Sequence, residues 1–410
     1  MATALRRAGT FLVTVYPALS HSSYRVYWGS TLFSLTGMWM FSMAQGWLVL
    51  SLTNSALMLG LVGACFALPN LLLSLVGGAI ADRIDRRRLL FVTRVLSLLV
   101  LAALAGLIAI GRIEVWHVFA FTALQGCIAA FDMPTTQAMV PTLVRPAAIT
   151  SAIALVSASF NGTRIIGPSI AGVLVAEIGI AGCYAIGAIS SVPVLIALAT
   201  IRPVTDYQRA TDPFLASIKR GFAYVRRDRL RVTILGLFLV NSLFGMAYAA
   251  MMPVFARDVL AAGPQAFGAL MASSGAGSLV GTMLVATLAS YPRKGLAALV
   301  CAIGFGLALI AFAFSPDLTV ALILMATVAL FNSTYSTLLS TILQTDLDDQ
   351  YRGRVMSIFT LIMNMMPLSG LLAGALATGV GAPVAIAFTG AVVAVVGAIA
   401  FVRAPWLRQA

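Results

Sequence analysis

Charged residues are scarce in this chain. Only 10% of its 410 residues are Asp, Glu, Lys or Arg, against about 25% in an average soluble domain. The 13 acidic residues are outnumbered by 26 basic ones, and no Asp or Glu falls in the middle of a long apolar run. These shortages exclude an ordinary soluble domain and favour a chain that crosses a membrane many times.

Cysteine is also rare, and the common catalytic motifs are missing. The four cysteines lie singly inside apolar runs without C-x-x-C spacing, which excludes a disulfide framework and a zinc site. The sequence contains no H-E-x-x-H, no G-x-x-x-x-G-K-[ST] and no G-x-S-x-G. We therefore expect no enzyme, no cofactor and no metal.

What remains is long apolar segments, which predict an all-α membrane protein with twelve transmembrane helices. The predicted spans are about 27–50, 55–79, 89–110, 115–133, 149–176, 180–200, 232–255, 265–288, 296–314, 318–340, 356–378 and 383–402. A basic central loop, 201–231, separates two six-helix bundles, 1–200 and 232–410. "SLTGM" at 34–38 matches "SLFGM" at 242–246 at an offset of 208, and Gly60 meets Gly268 at the same offset, so matches in consistent order indicate a weak internal repeat.

The distribution of Lys and Arg predicts the orientation. Outside Arg112, Arg164 and Arg257, we assign all basic residues to the loops on the same side as the termini, so both termini are expected in the cytoplasm. This rule accounts for the net charge of +13 without nucleic-acid binding. For the basic segment "SIKRGFAYVRRDRLR" we favour a helix lying on the anionic inner leaflet over a site for a partner.

The loop "GGAIADRIDRRRLL" carries the first motif. Its Gly78, Asp82, Arg83, Arg86 and Arg87 resemble the G-x-x-x-D-R-x-G-R-R motif of the major facilitator superfamily, as do the twelve spans and the central loop. The resemblance implies that these residues form a conformational latch, in which the Asp82 carboxylate accepts hydrogen bonds from guanidinium groups or a helix N-terminus. The alternative for the arginines is that they only enforce orientation.

One position of this loop departs from the superfamily. Asp85 occupies a place where the superfamily has glycine, so a turn that needs a positive φ would be strained there.

The fifth predicted span contains "GTRIIGPSIAG", which resembles the glycine and proline motif in the fifth helix of exporters in that superfamily. Its candidate residues are Arg164, Gly167, Pro168 and Gly172. Arg164 could be a structural anchor held by the amides of Gln45, Gln125 or Asn161. We favour a role facing the substrate cavity, because an ionisable side chain at membrane depth marks a functional site by default.

Other segments, "YRVYWGSTLFSLTGMWM" and "DDQYRGRVMSI" among them, are similar to the branch that includes siderophore exporters of the enterobactin type and macrolide efflux proteins. The resemblance implies a secondary active exporter in the bacterial inner membrane. It would move a lipophilic drug-like compound or a siderophore outward by alternating access, coupled to proton antiport. The protein would work as a monomer in the lipid bilayer. The alternatives are an importer of a small metabolite and a nontransporting receptor or assembly factor on the same fold.

Polar and sulfur-bearing residues within spans are the candidates for the substrate cavity. They are Met38, Trp39, Gln45, Asn161, Arg164, Asn241, Tyr248, Asn332, Tyr335 and Asn364. Methionines at such positions are also common in ordinary packing. Asp132, near the inner end of the fourth span, is the candidate for proton coupling, with helix capping as the alternative.

Overall fold

The computed structural model of the protein describes residues 16–81, 84–201, 222–287 and 291–409. In these ranges the regular structure is helical throughout. The helices are α1 Ser22–Thr53, α2 Ala56–Ala81, α3 Arg86–Ala109, α4 Val115–Met139, α5 Ile149–Ile189, α6 Val192–Thr200, α7 Arg229–Val240, α8 Ala247–Val254, α9 Pro264–Thr287, α10 Lys294–Ala313, α11 Leu318–Asp346, α12 Asp349–Met363, α13 Met366–Val380, α14 Ala382–Arg403 and α15 Pro405–Arg408. The predicted all-α class is confirmed.

Ten helical segments of the described chain are long and apolar enough to cross a membrane, so the predicted count of twelve is not confirmed. The first predicted span lies in α1, which is not among the ten because its serine, threonine and glutamine residues make it less apolar. The fifth and sixth predicted spans fall together in one 55-residue segment, Pro146–Thr200. At ~1.5 Å per residue this segment is about 80 Å long, far more than one crossing of a ~30 Å core requires.

Gly179 breaks that long segment. Its φ of 74° and ψ of 176° are not helical, and a positive φ of this kind is readily adopted by glycine because it has no Cβ. The break falls between the two predicted spans, 149–176 and 180–200. Twelve crossings therefore stay a prediction.

The seventh predicted span, 232–255, contains one turn that the sequence did not indicate, and a second such turn begins at its last residue. One π-helical turn, Asn241–Gly245, lies between α7 and α8. The other, Phe255–Val259, directly follows α8. Their i to i+5 hydrogen bonds run from Met246 N to Asn241 O and from Leu260 N to Phe255 O, each 3.0 Å long. Turns of this kind occur often at functional sites, because they re-aim the side chains around them.

The described residues form two compact units. The first contains 16–44 and 68–201. Within it, the Tyr24 hydroxyl of α1 donates to Ala152 O of α5 over 2.8 Å, and Trp28 Nε1 donates to Ser159 Oγ over 2.7 Å. These bonds satisfy buried donors and fix the start of α1 against α5.

The second unit contains 45–67 and 222–409. Its core includes Phe238 of α7 and Tyr335 of α11, whose hydroxyl donates to Leu237 O over 2.9 Å. The C-terminal part of α1 belongs here because Arg257 contacts it: Arg257 Nη1 donates to Leu50 O and to Asn54 Oδ1, over 3.2 and 2.8 Å. The segment 45–67 thus groups with the second unit, although its position in the sequence belongs to the first half.

Candidate transport site

Arg164 lies in α5 beside an aromatic pair of the first unit. Its guanidinium carbon is 6.0 Å from the centre of the Trp39 ring, and Trp39 packs edge to face on Phe160 with ring centres 5.4 Å apart. A guanidinium at this distance gains about 0.5 to 2 kcal/mol from the ring, depending on how dry the site is. The contact joins α1 and α5 at two of the predicted site residues.

Gly167 makes this approach possible. A Cβ atom at Gly167 would lie 2.6 Å from Trp39 Cβ and 2.9 Å from Thr36 O, so only glycine lets the two helices come this close. Pro168, the next residue, has no backbone N–H. The carbonyl of Arg164, four residues earlier, therefore lacks its usual helical hydrogen bond. Gly172 is buried further along α5.

The polar groups of this site have unused donors. Trp39 Nε1 is buried and has no hydrogen-bond partner among the described residues. No described residue pairs with the Arg164 guanidinium or accepts a hydrogen bond from it, and its contact is the Trp39 ring. Because buried donors normally find an acceptor, the arrangement can bind a ligand oxygen, as a carboxylate, catecholate or carbonyl group would supply.

Gln125 is not available to hold Arg164. Its Oε1 accepts a 2.8 Å hydrogen bond from Ser97 Oγ, and its Nε2 donates to Ser97 O over 3.3 Å. The side chain of Asn161 lies outside the described part of the structure, and Gln45 belongs to the second unit.

Asp132 forms an ion pair that the sequence analysis missed. Its Oδ2 lies 2.8 Å from Arg94 Nη2, and its Oδ1 accepts a 2.8 Å bond from Thr93 Oγ1. Arg94 Nη1 also donates to Ser34 Oγ over 2.9 Å. The ion pair is largely buried, with the side chains 21% and 17% exposed, and it joins α1, α3 and α4.

Arg94 was assigned to a loop from its position among other arginines, although it is the ninth residue of α3. The signal that could have found it is the apolar run "LLFVTRVLSLLVL" around it. A lone basic residue in such a run requires a partner, and Asp132 is the acidic residue nearest to the middle of a predicted span.

In the second unit, two predicted cavity residues have unpaired polar atoms. Asn241, at the start of the first π-helical turn, and Tyr248 in α8 are 3% and 2% exposed. Neither Asn241 Oδ1 nor the Tyr248 hydroxyl has a hydrogen-bond partner among the described residues. Asn332 is also buried, and its Nδ2 lies 3.8 Å from Met246 Sδ. Each unit therefore holds its own group of unsatisfied polar atoms.

The remaining cavity candidates have different surroundings. Tyr335 lies in the core of the second unit, where its hydroxyl is already bonded. Gln45 and Asn364 are half-buried, whereas Met38 is 40% exposed.

The predicted latch is described only in part. Asp82 and Arg83 lie outside the described residues, and Gly78 is a half-buried residue of α2. Arg86 Nη1 donates to Ala138 O at the end of α4 over 3.3 Å. Arg87 donates to Leu198 O and Ala199 O near the end of α6. Both arginines therefore bind carbonyls that helix ends leave unpaired, where positive charge is favourable.

The strain expected at Asp85 is absent. Asp85 has a φ of −56°, and its carboxylate accepts hydrogen bonds from Arg87 N and Arg88 N at the start of α3. Aspartate is among the best residues for this N-cap position. The residue that replaces the glycine of the superfamily motif thus starts the third helix.

A second polar cluster, not foreseen from the sequence, lies in the second unit. Arg231 Nε lies 2.7 Å from Asp346 Oδ2, and its guanidinium carbon is 4.0 Å from the centre of the Tyr224 ring. Tyr224 stacks on Tyr351 and donates to Asp348 Oδ2 over 2.9 Å. Desolvation raises the pKa of the Tyr224 hydroxyl. The cluster ties residues 222–231 to the turn between α11 and α12.

Membrane-spanning helices that carry unsatisfied polar groups are typical of membrane transporters, and comparison with known proteins agrees. The model of the transmembrane secretion effector family matches residues 13–408. The Staphyloferrin A transporter of Staphylococcus aureus is 27% identical over 85% of this chain and 88% of its own length. The multidrug efflux pump Tap of Mycolicibacterium fortuitum is 28% identical over 82% of this chain and 84% of its own.

The fold agrees with a solved transporter. A bacterial homologue of the human lysosomal transporter Spinster superposes with a TM-score of 0.73 at 14% identity, covering 92% of this chain and 96% of that one. The chain belongs to the transmembrane secretion effector family of the major facilitator superfamily. The predicted resemblance to the siderophore and drug transporters of that superfamily is confirmed.

Proposed function

We propose that the protein is a secondary active exporter that moves a siderophore or a lipophilic drug-like compound out of a bacterial cell. Matches to proteins named for siderophore transport and for multidrug efflux support this direction and these substrate classes. The single structural observation that carries the proposal is Arg164, a guanidinium in an apolar helix with no acceptor among the described residues except the face of Trp39.

The substrate class follows from the donors of the site. Arg164 and Trp39 Nε1 offer hydrogen bonds to oxygen, and Trp39 and Phe160 offer aromatic surface. An anionic or carbonyl-rich compound with apolar or aromatic parts satisfies both. In the second unit, Asn241, Tyr248 and Asn332 supply further polar contacts in the same proposal.

We propose proton antiport through Asp132. Protonation of its carboxylate would remove the charge that holds Arg94 and would release Ser34 and Thr93 from their shared network. Since those residues come from α1, α3 and α4, the release would loosen contacts among three helices of one unit.

The setting proposed is the cytoplasmic membrane, with both termini in the cytoplasm and a twelve-helix, two-bundle arrangement, 1–200 and 232–410. The distribution of Lys and Arg supports this orientation. In the same proposal Gly78, Asp82, Arg83, Arg86 and Arg87 act as the conformational latch, and the protein works as a monomer.

A thermal-shift screen of the purified protein tests the substrate class, because a ligand stabilises the state that binds it. The panel would contain catecholate and carboxylate siderophores, lipophilic drugs and small polar metabolites. We expect compounds of the first two groups to raise the melting temperature, and Arg164→Gln to lose that shift. Stabilisation by small polar metabolites alone would support the importer instead.

A further inference from the structure

An open apolar groove runs between α7 and α12 in the second unit. Its volume is about 420 Å³. Val232, Gly236 and Leu239 line the α7 side, and Ile358 and Leu361 line the α12 side. Because these residues recur at intervals of three and four, each helix presents one apolar stripe to the groove.

Gly236 gives the groove its depth. A Cβ built at Gly236 would meet no atom of the described residues within 4 Å, so no side chain among them fills the space above it. Val232 and Leu239 on either side are 47% and 37% exposed. Seven residues separate them, which is about 10 Å along the helix at ~1.5 Å per residue. The space suits a flexible hydrocarbon chain lying along the helices.

One end of the groove is positively charged. Arg226 is the one charged residue among the described residues that line it, and it lies near Phe222, three residues before α7 begins. Arg226 is exposed, and among the described residues no carboxylate pairs with its guanidinium and no side chain or carbonyl accepts a hydrogen bond from it. Nearby Arg231 is paired with Asp346, and Arg229 lies over the Trp406 ring. Arg226 is therefore free to bind an external anion.

We propose that the groove binds an anionic phospholipid of the inner leaflet, with an acyl chain along Gly236 and the phosphate on Arg226. The apolar lining matches the chain, and the guanidinium matches the phosphate in charge and hydrogen-bonding geometry. The position of Arg226 just before a membrane-spanning helix sets it at headgroup depth. The choice of leaflet rests on the proposed orientation, whereas the binding itself does not.

Native mass spectrometry of the full-length protein tests the proposal, with phosphatidylglycerol and phosphatidylcholine of identical chains as the two probes. We expect phosphatidylglycerol to bind more tightly. Arg226→Gln should weaken its binding about fivefold, the loss expected for one basic residue facing an anionic lipid. Arg226→Lys should retain most of the binding.

Arg227 provides the matched control for charge, because it is exposed and adjacent but does not line the groove. Gly236→Leu should fill the groove and displace the lipid. Gly106→Leu is its control, since Gly106 also has open space and lies in α3. Neither Arg227→Gln nor Gly106→Leu should change lipid binding. If Gly236→Leu does not fold, Gly236→Ala takes its place.

Three results would overturn the proposal. The first is equal binding of the two lipids by the wild-type protein, and the second is an equal loss in Arg226→Gln and Arg227→Gln. The third is unchanged phosphatidylglycerol binding in folded Gly236→Leu. If that variant keeps lipid binding but lowers drug efflux, the groove is a substrate site instead. Because lipid binding is measured without transport, a failure here is distinct from a failure of the exporter proposal.

Discussion

At the scale of single residues, the Arg94 and Asp132 ion pair combines a structural and a proposed functional role. Asp132→Asn would leave Arg94 without its charged partner in a largely buried position. We expect the free energy of unfolding to fall by about 3 kcal/mol, the lower part of the range for breaking a buried pair, because both side chains keep some exposure. The melting temperature in detergent measures this loss.

The same variant should also lose proton-driven efflux while it still binds substrate. Thr93→Val is the control, since it removes one hydrogen bond to Asp132 and keeps the ion pair. If Asp132→Asn exports as well as wild type under an imposed pH gradient, Asp132 is not the proton carrier and the pair is only structural.

Arg164 gives a second prediction at this scale. Arg164→Lys keeps the positive charge but loses the planar, forked donor, so we expect normal folding and an efflux rate lower by about tenfold. Efflux must be normalised to the amount of folded protein. If Arg164→Lys and Arg164→Gln both transport normally, Arg164 is not a binding group, and if neither folds, it is a structural anchor.

Sequence reasoning located Arg164 and Asp132 because each is an ionisable residue in or next to a long apolar segment, which is rare. It did not place Arg94, because Arg94 follows a run of arginines and the start of a helix is uncertain by a few residues. The expected strain at Asp85 was wrong for a related reason. A pattern of residue types does not reveal that a carboxylate will cap the helix that follows it.

At the scale of helices, the contact of α1 with α5 depends on Gly167. Gly167→Ala would bring a Cβ atom to 2.6 Å from Trp39 Cβ, and overpacking of this kind costs about 1 to 3 kcal/mol. We expect a lower melting temperature and slower efflux. Gly162→Ala is the matched control in the same helix, because a Cβ there meets no atom of the described residues within 4 Å. Equal melting temperatures for the two variants would contradict the close packing.

The cluster of Arg231, Asp346 and Tyr224 gives the corresponding prediction for the second unit. Asp346→Asn removes the charged acceptor of Arg231 Nε and should destabilise the protein by about 1.5 kcal/mol, the value of a hydrogen bond to a charged group. Asp85→Asn serves as the control, because asparagine is an equally good N-cap. The account of this cluster fails if both variants melt at the wild-type temperature.

Helix positions were largely predictable, since most apolar segments became helices close to the expected bounds. One close helix contact depends on glycine, since a Cβ at Gly277 of α9 would lie 2.0 Å from Ala326 O of α11. The π-helical turns at Asn241–Gly245 and Phe255–Val259 could not be foreseen, because one extra residue in a helical turn leaves no mark on the apolar pattern.

At the scale of the whole molecule, the number of crossings was less certain than the helices themselves. The ten long apolar segments of the described chain do not include α1, which is less apolar, and they include one 55-residue segment that is interrupted at Gly179, so twelve crossings stay a prediction. The division into units also departs from sequence order, because residues 45–67 pack with the second unit through contacts such as Arg257 with Asn54. Long-range packing of this kind is not encoded in local patterns.

Transport in inverted membrane vesicles tests the central claim most directly. In such vesicles an exporter moves its substrate into the lumen, so with an acidic lumen we expect a siderophore or lipophilic drug found in the thermal-shift screen to accumulate. Vesicles containing Asp132→Asn should not accumulate it, and collapse of the pH gradient should release it from wild-type vesicles. Accumulation in right-side-out vesicles alone, or binding without accumulation in either kind, would contradict export and favour an importer or a nontransporting receptor.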